Sequence, residues 1–208
     1  MSLPRLMTFQ FAVLALLALG KISPALAAPQ VVLSDPLSSW PLNFGAQGGS
    51  LLLKNGFVHI VLAPNTANWA IYNGFTFTNM DASVTVASQT KAGTLGGLIF
   101  WASGPSDFFV FYAADLTGTF AVYRRVSSGN PGWRNIVPFM KSPAIKMGEA
   151  NTLRVVTKGN SVSLFINGQA VGTLGIMAPD GGGAVGIEAE SDAKLPGEFA
   201  FSNLTVSQ

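Results

Sequence analysis

Residues 162–174 read V-S-L-F-I-N-G-Q-A-V-G-T-L, with apolar positions recurring at every second residue ahead of Asn167-Gly168. Val162, Leu164 and Ile166 share one parity, and Ser163 and Phe165 the other. A period of two marks a half-buried strand, and an Asn-Gly pair supplies the positive φ angles of a type I′ turn. The pattern predicts an antiparallel hairpin. Residues 152–158 alternate in the same way and turn at Gly159-Asn160 into that hairpin. Further strands are predicted over 57–62, 82–88, 95–103, 108–115, 120–126, 185–190 and 199–206, with Thr117-Gly118 turning between the fourth and fifth of these. Past the leader described next, no ten-residue stretch carries helical periodicity, and there is neither an internal repeat nor a long linker. Short strands punctuated by Gly, Pro, Asn and Ser predict an all-β fold, a two-sheet antiparallel jelly-roll sandwich in one domain over 28–208.

Residues 1–27 stand apart as an expected secretory signal peptide. Arg5 gives a short positive start, residues 11–19 form an apolar run of nine, and Ala25-Leu26-Ala27 offers small residues where a signal peptidase reads. Nine apolar residues fall short of the roughly 20 that span a bilayer. Cleavage is expected after Ala27, with Ala28 the neighbouring alternative, giving a periplasmic or secreted protein that is not membrane-embedded. Removing the leader changes the charge. Of twelve Lys/Arg, Arg5 and Lys21 lie in it with no acid, so the remaining chain carries ten bases against ten acids. A neutral domain whose only basic pair is Arg124-Arg125 is a poor partner for nucleic acid, where phosphate neutralisation dominates. The chain has no cysteine and one histidine, which excludes thiol chemistry and leaves little for a zinc site.

Four segments follow one another in order: N-T-L-R-V-V from Asn151, V-S-L-F-I-N-G from Val162, G-A-V-G-I from Gly183 and F-A-F-S-N-L-T-V from Phe199. This succession resembles the concanavalin A-like (laminin-G-like) jelly roll. Within it, the likeness is greatest to bacterial secreted domains grouped with the 3-keto-disaccharide hydrolase (DUF1080-like) family. G-G-L-I-F-W-A from Gly96, F-F-V-F-Y from Phe108, A-V-Y-R-R from Ala121 and Trp133 suit the same pattern. The resemblance implies a two-sheet sandwich whose concave face often holds carbohydrate. Its motifs are structural, so they specify fold better than activity.

Candidate chemistry lies in two places. Glu188, Glu190 and Asp192 in G-I-E-A-E-S-D share one face of a strand, and glycoside hydrolysis needs two carboxyls about 5–5.5 or 6.5–9.5 Å apart. Any i, i+2 pair on a strand meets that distance. The E-x-D-x-x-E strand of the retaining glucanases of this fold class is absent. Val185, Ile187 and Ala189 alternate against the glutamates, so the expectation is a dry face and a solvated one, with the glutamates in solvent. The aromatic residues form the second group. Sugar rings pack apolar faces on Trp and Tyr while polar groups orient them. Trp101, Tyr112, Tyr123 and Arg125 are expected to share one concave surface, with Trp133 and Trp69 on loops at its rim. The other reading of Trp101 and Tyr112 is core packing, with Trp133 covering a loop.

His59 lies between Val58 and Ile60 and reads as a packed strand residue. Asp115 and Asp180 are isolated and have turn chemistry of their own. A structural calcium ion is the one cofactor left open, since such sites need six to eight oxygens. Asn203-Leu-Thr205 is a glycosylation sequon that a strand position explains equally well.

Three functions fit this inventory. The first is a non-catalytic exported sandwich that binds a glycan or a cell-envelope protein through an aromatic face. The second is a 3-keto-glycoside or glycoside hydrolase using Glu188, Glu190 and Asp107 or His59 near a metal. The third is a structural envelope domain without a small ligand.

Overall fold

The computed structural model describes residues 29–91, 95–127 and 132–208. The expected signal peptide, 1–27, and its cleavage point lie outside the described residues. Two antiparallel sheets make a sandwich. The first contains β1 (Val31–Asp35), β2 (Leu51–Lys54), β3 (Phe57–Leu62), β5 (Met80–Ser88), β10 (Asn151–Lys158), β11 (Ser161–Ile166), β12 (Gln169–Gly175) and β14 (Gly197–Ser207). Its order is β12-β11-β10-β5-β14-β3-β2, and β1 pairs with the second half of β14. The second contains β4 (Ala67–Ile71), β6 (Leu95–Gly104), β7 (Asp107–Ala114), β8 (Thr119–Val126), β9 (Gly132–Lys141) and β13 (Ala184–Glu190). Its order is β4-β13-β6-β7-β8-β9. Among the described residues the single helical element is the short 3-10 turn Leu42–Phe44, and no helix is long and apolar enough to cross a membrane.

Alternation builds the core. Val58, Ile60, Val84, Val86, Leu153, Val155, Leu164 and Phe199 project from the first sheet. They meet Leu98, Phe100, Phe109, Phe111, Val122, Val185, Ile187 and Ala189 of the second. The Asn167-Gly168 turn forms as the dipeptide demands, with φ of 50° and 80°. Asn203 sits at φ 54° in a bulge of β14, which moves the buried parity from Phe199 and Phe201 to Leu204 and Val206. Asparagine tolerates that left-handed conformation, and this accounts for its place in the strand.

Four strands lay outside the sequence reading: β1, β2, β4 and β9. β4 and β9 are edge strands of the second sheet, where every position but Ala70 is partly or fully exposed and the alternation is weak. Trp69 and Trp133, expected on rim loops, therefore stand on β4 and β9.

Candidate functional site

The second sheet is covered by the core on one face only. On its outer face Ile99, Ala102, Phe108, Val110, Tyr112 and Ala184 form a separate buried cluster, with Trp69, Tyr123 and Trp133 packed against it. Five of the six expected ligand-facing residues meet on this face: Tyr112, Tyr123, Arg125, Trp133 and Trp69.

Trp101 does not, and this corrects the sequence reading. Strict alternation from Ile99 would put it outward beside them. Instead it has φ 52° and lies in a bulge, where Phe100 and Trp101 of β6 stand opposite Val185 alone of β13. The extra residue turns the indole into the inter-sheet core. There Trp101 is 1% exposed and donates Nε1–H to the Thr78 carbonyl at 3.0 Å.

Glu188 overturns a second expectation. Val185, Ile187 and Ala189 do face the core, but the opposite face at Glu188 is not solvent: its residue is 0% exposed. Register explains why. Glu188 pairs with Trp69 on one side and Gly97 on the other, and Gly97 pairs with Tyr112. The four residues form one row across the sheet. A Cβ on Gly97 would stand 2.6 Å from Val110 Cγ2 and 2.9 Å from Tyr112 Cδ1. The missing side chain lets Tyr112 lean toward Glu188. Both Glu188 oxygens and the Tyr112 hydroxyl are buried, and none has a hydrogen-bond partner of good geometry.

Desolvation pushes the Glu188 carboxyl well above the usual carboxylate range. Tyr112 opposes that shift, the charge of Glu190 adds to it, and Arg125 opposes it. Burial raises Glu190 also. Burial, with Glu188 next, holds the Tyr112 phenol well above its ordinary value.

Arg125 is held by aromatic rings. Its guanidinium carbon lies 4.6 Å from the Trp69 ring centroid and 5.3 Å from that of Trp133, within cation–π range. Phe108 packs edge-on against both indoles, at 5.5 and 6.0 Å. Arg125 Nε is buried without a hydrogen-bond partner. Further along the face, Tyr123 contacts Tyr112 at 6.1 Å and the half-exposed Phe139 at 6.0 Å.

A cleft of about 390 Å³ opens at the end of this face, beside Trp69. Trp69 and Phe75 give it aromatic walls, and Asn73, Thr76 and Ser103 line it with neutral polar groups. The sequence could have supplied Phe108, which shares the parity of Tyr112. It carried no signal for Asn73, Phe75 or Ser103, because a loop after β4 and the end of β6 meet here only through the fold.

The remaining candidates are dispersed. His59 lies on the first sheet, buried, with Nδ1 2.8 Å from Glu198 Oε1, which also accepts from Lys54 Nζ at 2.8 Å. Asp107 pairs with Arg124 at 3.5 Å. Neither joins Glu188 and Glu190, so the expected hydrolase cluster is not assembled. Among the described residues no group of three or more His, Asp or Glu side chains could hold a metal ion.

No protein-family model matches the chain, and no curated protein sequence does. Solved structures do match its shape. Bacillus licheniformis β-glucanase superposes with a TM-score of 0.61 at 10% identity, covering 85% of this chain and 97% of that chain. The carbohydrate-binding module CBM66 from Bacillus subtilis gives 0.62 at 11% identity, covering 77% and 92%. The κ-carrageenase of Pseudoalteromonas carrageenovora, solved with an oligotetrasaccharide, gives 0.59 at 10% identity, covering 89% and 98%. The fold is a concanavalin A-like jelly roll. At this identity the likeness concerns the fold. In this jelly roll the outer face of the six-stranded sheet carries the aromatic row and the cleft.

Proposed function

We propose that the protein is an exported, non-catalytic carbohydrate-binding domain that holds a glycan on the outer face of its second sheet. The observation that carries the reading is the cleft beside Trp69. Its aromatic walls and neutral polar lining are what a sugar needs, an apolar ring face to pack on and hydroxyl partners to fix orientation. Two of the structural neighbours reinforce it, since one is a carbohydrate-binding module and another was solved with an oligosaccharide. The buried state of Glu188 argues against catalysis, because a general acid must come within hydrogen-bond reach of the glycosidic oxygen.

Binding is tested on a polysaccharide and glycan panel with the wild type and Trp69→Ala. Retention of at least one glycan by the wild type, lost in Trp69→Ala, is the expected result. A wild type that binds none would overturn the reading.

A second reading, a glycoside or 3-keto-glycoside hydrolase, is favoured by one observation. Glu188 and Glu190 share the face, and burial pushes the Glu188 carboxyl well above the usual carboxylate range, the direction a general acid needs. Release of reducing ends from the same panel, abolished in Glu188→Gln, would establish it over the first.

A further inference from the structure

The Trp69–Arg125–Trp133 stack is an unusual resting place for an arginine. Two indoles and the Phe108 ring form three sides of a box, and the chain's own guanidinium fills it. Arg125 makes no ion pair there among the described residues, and its Nε is buried without a partner. Buried hydrogen-bonding groups are nearly always satisfied, so a buried Nε flanked by rings and without an acceptor belongs to a side chain that aromatic packing alone holds.

Resting on the glycan-binding reading above, we propose that the slot between Trp69 and Trp133 is the seat of one pyranose ring, and that Arg125 occupies it until the sugar displaces it. The dimensions suit this occupant. A pyranose chair lays a broad C–H face on an indole as a guanidinium lays its plane. Both indoles already carry one such group, the guanidinium carbon lying 4.6 and 5.3 Å from their centroids.

The test uses mixed-linkage β-1,3-1,4-glucan, β-1,3-glucan and κ-carrageenan in affinity electrophoresis against the wild type, Arg125→Ala, Trp133→Ala and Trp133→Phe. For a polymer that the wild type retains, Arg125→Ala should bind about tenfold tighter, because the internal competitor for the rings is gone. Trp133→Ala should bind at least tenfold weaker, and Trp133→Phe, which keeps a ring and guards against a folding defect, should recover part of the loss. A readout free of any sugar is acrylamide quenching of indole fluorescence, which should rise in Arg125→Ala as the slot opens. Weaker binding by Arg125→Ala would make the arginine a direct contact and overturn the proposal. Unchanged binding by Trp133→Ala with binding still lost in Trp69→Ala would remove the slot while leaving glycan binding at the cleft intact. No retention of any of these polymers by either the wild type or Arg125→Ala would overturn the proposal, and the wider panel would then decide the broader reading alone.

Discussion

Glu188 and Tyr112 lie in one cross-strand row with only Gly97 between them, on the outer face of the six-stranded sheet, and both are buried. An acid so placed ties stability to pH. Burial raises the Glu188 pKa in the folded state above its unfolded value, so across that interval the folded chain holds a proton that the unfolded chain has lost. Stability therefore falls as pH rises above about 4.5, by roughly 1.4 kcal/mol per pH unit for one group, until the folded pKa is passed. Glu190 acts in the same sense. Urea midpoints should be higher at pH 5 than at pH 7, and Glu188→Gln should flatten that slope. An unchanged slope in the variant would place the titration elsewhere.

Glu198 should act in the opposite direction and at lower pH. Its hydrogen bond with Lys54, aided by His59, holds its carboxyl below the usual range. That contribution is present above the unfolded value and is lost as pH falls through the folded one. Comparing Glu198→Gln with the wild type between pH 5 and pH 3 should show the wild type losing stability faster.

Gly97→Ala should damage the row without touching either polar partner. The added methyl would sit 2.6 Å from Val110 Cγ2 and 2.9 Å from Tyr112 Cδ1. Overpacking of this kind costs about 1–3 kcal/mol. The denaturation midpoint should drop, and tyrosine difference spectra should report a displaced Tyr112.

Two tryptophans that looked alike in sequence should separate by assay. Trp101→Ala empties a core site and should cost about 3–5 kcal/mol. Trp69→Ala removes a partly exposed ring and its stacked cation and should cost about 1–2 kcal/mol while abolishing glycan retention. Urea denaturation run beside affinity electrophoresis gives both numbers. A Trp101 variant that stays stable but loses binding would reverse the assignment.

Asn151 should prove a structural residue. Its side chain accepts from the Lys146 and Asn167 nitrogens and donates to the Lys146 and Glu149 carbonyls, tying down the turn before β10. Asn151→Ala leaves several of these buried groups unmatched and should destabilise by about 2 kcal/mol or more, with glycan retention per folded molecule unchanged.

The sequence by itself determined the sandwich. Alternation in 152–174 and 185–190, with turn residues such as Asn167-Gly168, depends only on the period of a strand and on local φ preferences, and both are written in consecutive residues. It also put Tyr112, Tyr123 and Arg125 together, because strand parity propagates across antiparallel neighbours. Parity could not reveal the extra residue at Trp101, since a bulge is a two-strand event and β13 must be beside β6 before two residues can face one. Nor could it say what lies over Glu188. A polar residue opposite a dry face is solvated on an isolated sheet. Here register brings Trp69, Gly97 and Tyr112 into its row from strands 76 to 119 residues away, and the tertiary structure alone decided that the acid would be buried.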